Sequence, residues 1–273
     1  MERVVAENNV VYYRSELIPC VHAFSTRLGG VSALPHTESM NLAFGRGDDR
    51  ETVIENLRLF AEAVGFEAEN TVSVDQVHSD RIRQISRTNF GEGYFKESLE
   101  SCDGYISTEP DAVIGVKTAD CVPILIYAPP NGSFGGAVMA LHAGWRGTAL
   151  GIASKAVERA VSLGATASEM KVAIGPSIGK CCYEVRDDFY AEFCKHAGRE
   201  LTEKYVTPCN DGEHFLADLK GANRELLERS GVLSLNIDVS KTCTCCEPDE
   251  FFSHRYTGGV RGTMLAVIKN KLR

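Results

Sequence analysis

The sequence lacks a long hydrophobic run: its apolar stretches, such as Val122 to Tyr127, are far too short to span a bilayer, which excludes a transmembrane helix. It also has no run of Lys or Arg. With 37 acidic against 29 basic side chains the formal net charge is −8, the opposite of what a DNA- or RNA-binding surface requires. Tryptophan occurs once and histidine seven times, with no His-x-His pair. The start, Met-Glu-Arg-Val-Val, has no basic segment leading into an apolar one, so no signal peptide is read there and a cytoplasmic location is expected. No internal repeat, low-complexity tract or Pro/Gly/Ser linker divides the chain, and the expectation is a single domain of residues 1–273.

Cysteine is abundant, at ten of 273 residues. In a reducing compartment these are core residues, metal ligands or nucleophiles rather than half-cystines. The 44% hydrophobic content is ample for a core.

Periodicity predicts four helices. Val53, Ile54, Leu57, Phe60, Ala61 and Val64 share one face of the first, with Asp49 as its cap. The second runs from near Thr148 to a stop at Gly164, the third covers Asp187 to His196, and the fourth carries Leu219, Ala222, Leu226 and Leu227 between Asp218 and Gly231. Strands are predicted at Thr71–Val77, Val113–Lys117, Val122–Tyr127, Ala137–His142, Met170–Ile174, Leu235–Val239 and Thr263–Ile268. Pro129-Pro130-Asn131-Gly132 reads as a turn between two of them, and Thr88 to Ser101 as a surface excursion. Hairpins mixed with helices point to an α/β protein with mixed sheets.

His78 and His142 end predicted strands, and Cys121 stands just before another. Strand ends allow side chains to converge while their backbones stay rigid. Two imidazoles and a thiolate suit zinc, and three protein ligands leave a fourth position open, the catalytic pattern. The three come from distant segments and match no short ligand motif, so core histidines remain the alternative. Around His142, the segment His142-Ala143-Gly144-Trp145-Arg146-Gly147 reads two ways. It is either an anion- and base-binding turn with Trp145 as a stacking surface, or a tight turn with Trp145 in the core and Arg146 extended to solvent. Cys181-Cys182 and Cys243-Thr244-Cys245-Cys246 could together hold a structural zinc, but neither has the two-residue gap of a zinc knuckle, and core cysteines are the preferred reading. Phe251-Phe252-Ser253-His254-Arg255 reads as an edge strand with buried phenylalanines.

Together these segments resemble the laccase-domain proteins, once called multicopper polyphenol oxidases and now regarded as purine nucleoside phosphorylases. The resemblance runs from about Phe24 to the C-terminus. It rests on Ser25-Thr26-Arg27-Leu28-Gly29-Gly30-Val31-Ser32, Asn41-Leu42, Asp75-Gln76-Val77-His78, Thr118-Ala119-Asp120-Cys121-Val122-Pro123 and the His142 segment. Gly175-Pro176-Ser177-Ile178-Gly179, Cys182-Tyr183-Glu184-Val185 and the Phe251 segment complete it.

The resemblance implies a four-layer α/β/β/α fold and zinc on His78, Cys121 and His142, the three residues picked by strand-end position. The implied substrates are phosphate with adenosine, inosine, guanosine or methylthioadenosine, and the implied second activity is adenosine deamination. Arg27, Arg146 and Arg255 are the candidates for phosphate or ribose contacts, and Asn41 and Gln76 for orienting the base or ribose. A monomer or small homo-oligomer is expected, with no nucleic-acid or membrane partner. The sequence departs from the family where Asn56 is followed by Leu57, with Arg58 one place on, so no arginine role is carried there. His254 stands where other members carry tyrosine and is given no role as a base.

Three rivals stand beside this reading. Cys121 with His142 or His78 would also serve a cysteine hydrolase, such as a cell-wall-precursor amidase. A copper polyphenol oxidase needs many more histidines than the chain holds. A non-catalytic nucleoside-binding module would lose affinity, but no turnover, with its ligands.

Overall fold

The computed structural model describes residues 1–98, 100–209 and 213–271. Leu99, inside the excursion predicted at Thr88 to Ser101, is outside the described residues, as are the last two residues of the chain.

The first half supplies strands β1 (Glu2–Val5), β2 (Val11–Arg14), β3 (His22–Ser25), β4 (Thr71–Val72), β5 (Ile82–Gln84), β6 (Gly104–Ser107) and β7 (Val113–Thr118). β8 (Val122–Ala128), β9 (Ala137–Ala143), β10 (Lys171–Ile174) and β11 (Glu184–Arg186) follow, then β12 (Val206–Pro208), β13 (His214–Ala217), β14 (Ile237–Val239) and β15 (Met264–Lys269). The helices are α1 (Arg50–Val64), α2 (Trp145–Ala149), α3 (Ile152–Ser162), α4 (Asp187–Ala197), α5 (Arg199–Tyr205), α6 (Leu219–Arg229) and α7 (His254–Thr257). One six-stranded sheet has the order β1-β2-β3-β15-β7-β4 and a second has β14-β10-β8-β9-β6-β5; β11, β13 and β12 form a small third sheet. Both large sheets mix parallel and antiparallel pairs, as the α/β reading with mixed sheets expects.

The period-2 alternation of the strands explains how the sheets pack. On β8, Val122, Ile124 and Ile126 join an apolar cluster with α3, α4 and α6, while Leu125 turns the other way. On β9, Met139 and Leu141 join the helices, while Val138 and Ala140 face the opposite side. Leu125, Val138, Ala140 and Tyr105 of the second sheet meet Phe24, Ile114, Val116, Ala266 and Ile268 of the first in one buried cluster. The outer face of the first sheet is closed by α1, whose Val53, Leu57, Phe60 and Ala61 are buried beside Leu265 and Val267. Asp49 caps that helix by accepting from Thr52 N at 2.7 Å, and Gly65 ends it in the left-handed region. Emptying the site of the fully buried Phe60 by substitution to Ala costs ~3–5 kcal/mol.

The prediction and the structure differ in four places. The helix expected from Thr148 to Gly164 is two: α2 ends at Ala149 and α3 begins after Gly151, whose φ of +77° no continuous helix accommodates. Only Thr71–Val72 of the predicted Thr71–Val77 strand enters a ladder. Beyond it Ser73 N donates to Glu92 O and Val74 N to the Tyr105 hydroxyl, so side chain and loop replace a strand partner. The Phe251 segment is not an edge strand: Phe251 and Phe252 are buried, and Ser253 caps α7 by accepting from Tyr256 N. The short N-terminal strands β1 to β3 and the third sheet had no periodic signature.

Among the described residues no helix is long and apolar enough to cross a membrane.

Candidate metal centre and its cleft

Residue parity on the strands carries side chains to one end of the seam between the large sheets. His142 has the parity of Val138 and Ala140, Cys121 that of Leu125, and Asp103 that of Tyr105, all members of the cluster between the sheets. The register sets them side by side, with His142 opposite Pro123 on β8 and its N–H donating to Asp103 O at 2.7 Å. His78 reaches the same point from a loop. Its φ of +59° and that of Asp120, +91°, lie in the left-handed region, a strained backbone at two residues flanking the point of convergence.

The donor atoms of His78, Cys121 and His142 all lie within 4.8 Å of one another. The two imidazoles meet edge to face, with centroids 4.9 Å apart. Gly144 is required by this closeness: a Cβ there would stand 3.1 Å from His78 Cδ2 and 3.2 Å from Cys121 Sγ. The glycine of the His142 turn thus lets backbone approach the donors. Trp145 turns into the helical layer, 5.1 Å from the Phe189 ring, and Arg146 lies exposed over its face. Trp145 is thus partly buried and packed against the helical layer, with Arg146 at the surface.

Asp103 organises the centre. Fully buried, it accepts from His142 Nδ1 at 2.9 Å and from His78 N at 2.9 Å through Oδ1, and from Ser79 N and Oγ, both at 2.7 Å, through Oδ2. Burial opposes its ionisation, but the bonds from His142 and Ser79 outweigh it and hold the carboxyl down at about 2. With Nδ1–H committed to Asp103, the His142 Nε2 lone pair is left for the centre. At Cys121 burial pushes the thiol up, yet the charges and hydrogen bonds of His142 and His78 overcome it and bring it to about 6. Cys121 and Asp103 in turn raise His142 to about 9 against burial, so the pair rests as thiolate and imidazolium and the Nε2 proton leaves when a metal binds. A thiolate and two imidazoles, one of them oriented by Asp103, with their donor atoms this close, fit a zinc ion with an open fourth position. Among the described residues the other group that converges in this way is made of four cysteines, and neither holds the imidazoles of a coupled copper cluster.

Beside the donors lies a cleft of about 240 Å³, just under the usual range of small-molecule pockets and suited to a compact ligand rather than a polymer. Phe44, Arg46, Asp75, Gln76, Lys117 and Arg261 line it with His78, Cys121 and His142. The Thr88–Ser101 excursion contributes Gly93, where this cleft meets a neighbouring hollow that shares Phe44 and Asp75. Three cations face one another here, and Arg46 acts on both Lys117 and Arg261. Burial lowers Lys117 to about 8 against the support of Asp75, with Arg46 lowering it further. The buried Arg261 Nε has no hydrogen-bond partner in the chain, while Nη1 donates to Thr263 Oγ1 at 2.9 Å. Mutually repelling cations with a spare donor form a place for an anion.

Of the residues proposed from sequence for substrate contacts, Gln76 alone lines this cleft. Both its amide atoms are bound to the Lys117 backbone, at 2.8 and 2.7 Å, so it clamps the wall of the cleft. Asn41 lies behind that wall. It is fully buried, and its amide is used by Ala43, Asp48 and Thr263 N, which removes it from ligand contact. Arg27 is held by Glu38 O and Pro248 O over the Phe252 ring, away from the cleft. Arg146 and Arg255 act on Tyr183, which also feels Cys121, so they stand on another side of the donors. Arg255 is tied to Cys182 O and Glu184 O at 3.2 and 2.9 Å. Arg46, Lys117, Arg261 and Asp103 were missed. Lys117 is four residues before Cys121, but no spacing rule singles out a lone cation.

Residues 21–271 match a family described as multi-copper polyphenol oxidoreductase laccase. The chain is 39% identical over 251 residues to the purine nucleoside phosphorylase YlmD of Geobacillus stearothermophilus, covering 91% of this chain and 89% of that protein. It is 36% identical over 241 residues to adenosine deaminase RL5 from an unknown prokaryotic organism, covering 87% and 89%. The crystal structure of the hypothetical protein YfiH from Bacillus licheniformis superposes with a TM-score of 0.88 at 31% identity, covering 98% of both chains.

Proposed function

The chain belongs to the family described as multi-copper polyphenol oxidoreductase laccase, and from that membership and the centre's geometry we propose that it is a zinc-dependent purine nucleoside phosphorylase. The observation that carries the reading is the juxtaposition of the His78–Cys121–His142 donors with a cleft holding Arg46, Lys117 and Arg261. A metal centre alone serves many reactions. A metal centre beside a cationic cleft for a compact ligand suits transfer of a glycosyl group to phosphate. The kinship with a protein named purine nucleoside phosphorylase supports the same substrate class.

Phosphorolysis forms a bond from a phosphate oxygen to C1′ of the ribose and breaks the C1′–N9 bond, whose electron pair leaves with the purine. His78, Cys121 and His142 would hold the zinc, which when bound supplies a Lewis acid with one open position. Arg46, Lys117 and Arg261 hold the phosphate and keep its charge facing C1′. Phe44 offers an apolar face in the same cleft for the planar base. Asp103 keeps the His142 proton on Nδ1 and so fixes the ring's orientation. Adenosine deamination draws on the same centre, in line with the kinship to a protein named adenosine deaminase. A single domain carries the whole activity, inside the cell and without a nucleic-acid or membrane partner.

Release of hypoxanthine from inosine and of adenine from adenosine, each with and without phosphate, tests the reading. Phosphate-dependent release with ribose 1-phosphate as coproduct is expected. Release of free ribose regardless of phosphate, or none at all from zinc-loaded protein, contradicts it.

A further inference from the structure

The second group of convergent donors belongs to none of this chemistry. Cys181, Cys182, Cys243 and Cys246 come from two loops, one after β10 and one after β14, and their sulfur atoms all lie within 4.8 Å of one another. Cys246 Sγ is 3.3 Å from Cys182 Sγ and 3.5 Å from Cys181 Sγ, and Gly179 N donates to Cys243 Sγ at 3.1 Å. The cluster packs closely on Gly179, where a Cβ would stand 3.1 Å from Cys181 Sγ and 3.2 Å from Cys243 Cβ. Cys245 adds a fifth thiol within reach of Cys182.

We propose that these four cysteines form a second metal site, a tetrathiolate zinc site that staples the two loops together. Four sulfurs about 2.3 Å from a central zinc lie roughly 3.8 Å apart, close to the separations seen here. An iron–sulfur cluster places sulfides between its thiolates and needs them farther apart. Each thiol gives up its proton on binding, and the resulting negative charge has a partner in Lys220, nearly buried and within electrostatic reach of Cys181 and Cys243. Four ligands and no open position make the site structural.

The staple acts on the first centre through two hydrogen-bonded links. Ser177 and Cys243 are bridged, with Thr244 N donating to Ser177 O at 3.2 Å. Ile178 N then donates to Asp120 O at 2.9 Å, and Thr244 Oγ1 to Asp120 Oδ1 at 2.7 Å. Asp120 is the strained residue directly before Cys121, so the tetrathiolate site positions the backbone that delivers a ligand of the first centre.

Metal analysis and thiol alkylation test this. Zinc-loaded wild type is expected to hold about two equivalents per chain, and C243S/C246S about one, by the closed four-ligand and open three-ligand patterns. Should the His142 centre hold no metal, wild type carries one equivalent and the double variant none, so the two assignments fail separately. A second measurement needs no variant. Cys181 and Cys246 are exposed and would alkylate at once as free thiols; in zinc-loaded protein they are expected to resist until a chelator is added. Equal zinc in wild type and C243S/C246S, prompt alkylation with metal present, iron with sulfide, or a disulfide among these cysteines each overturns the proposal.

Discussion

The two sulfur-bearing clusters of this molecule are built on opposite principles. His78, Cys121 and His142 mix nitrogen with sulfur, two of them stand at strand ends, and a buried carboxylate aims one ring. Cys181, Cys182, Cys243 and Cys246 are all sulfur, stand on loops, and take backbone support from Gly179 and charge support from Lys220. The first offers three donors beside a cleft, the second four donors on two surface loops. The lesson is that ligand number and scaffold together separate a centre that does chemistry from one that holds loops in place.

The largest effect expected of any single change is at the first cluster. His142→Ala removes a ligand and, with it, a metal contribution of several kcal/mol, so kcat/KM for phosphorolysis should fall by about a thousandfold or more while the fold survives by circular dichroism. A variant that keeps zinc and activity would erase the distinction between the clusters. Next comes Asp103→Asn, which keeps the shape but weakens the aim of His142; zinc affinity should fall about 10- to 100-fold, measured by competition with a chromophoric chelator. Unchanged affinity would reduce Asp103 to a backbone clamp for residues 77–79.

The cleft beside the first cluster sharpens the comparison further. Lys117 faces Asp75 and Arg46 and is protonated below about 8, so its charge, and its hold on phosphate, is present at neutral pH and lost as pH rises through that value. KM for phosphate is therefore expected to rise above pH 8, and Lys117→Arg, charged throughout, to remove that limb. A wild-type KM flat from pH 7 to about 9 would remove Lys117 from phosphate binding. The smallest effect lies far from both clusters. Asp49→Ala removes the cap of α1 and should lower the urea midpoint slightly with kcat unchanged.

The legible parts of the sequence were those with strong period. The hairpin β8–β9 follows from two apolar β-prone runs around Pro129-Pro130-Asn131-Gly132 and helix α1 from a 3.6-residue stripe. Strand ends pointed rightly to Cys121 and His142, whereas His78 was found through a strand that stops at Val72 and stands on a loop. Segments held by side chains instead of ladders were not legible, as at Ser73 and Val74, which lean on Glu92 O and the Tyr105 hydroxyl. Site residues that act through tertiary closeness were hidden for the same reason. Asp103 looks like an ordinary turn residue until His142 is set beside it, and Arg261 like a surface arginine until its Nε is found buried. Asn41 misled in the other direction, because a motif asparagine can be fixed by the backbone it binds rather than by a ligand. The vicinal cysteines follow no single-knuckle spacing because their site is assembled across two loops.

The most direct test of the central claim is inosine phosphorolysis measured in one preparation before chelation, after chelation and after zinc is added back. The account predicts loss of turnover with the metal and recovery when zinc returns. Full activity in metal-free protein would contradict it and make the Cys121 thiolate, with His142 beside it, the group that does the chemistry.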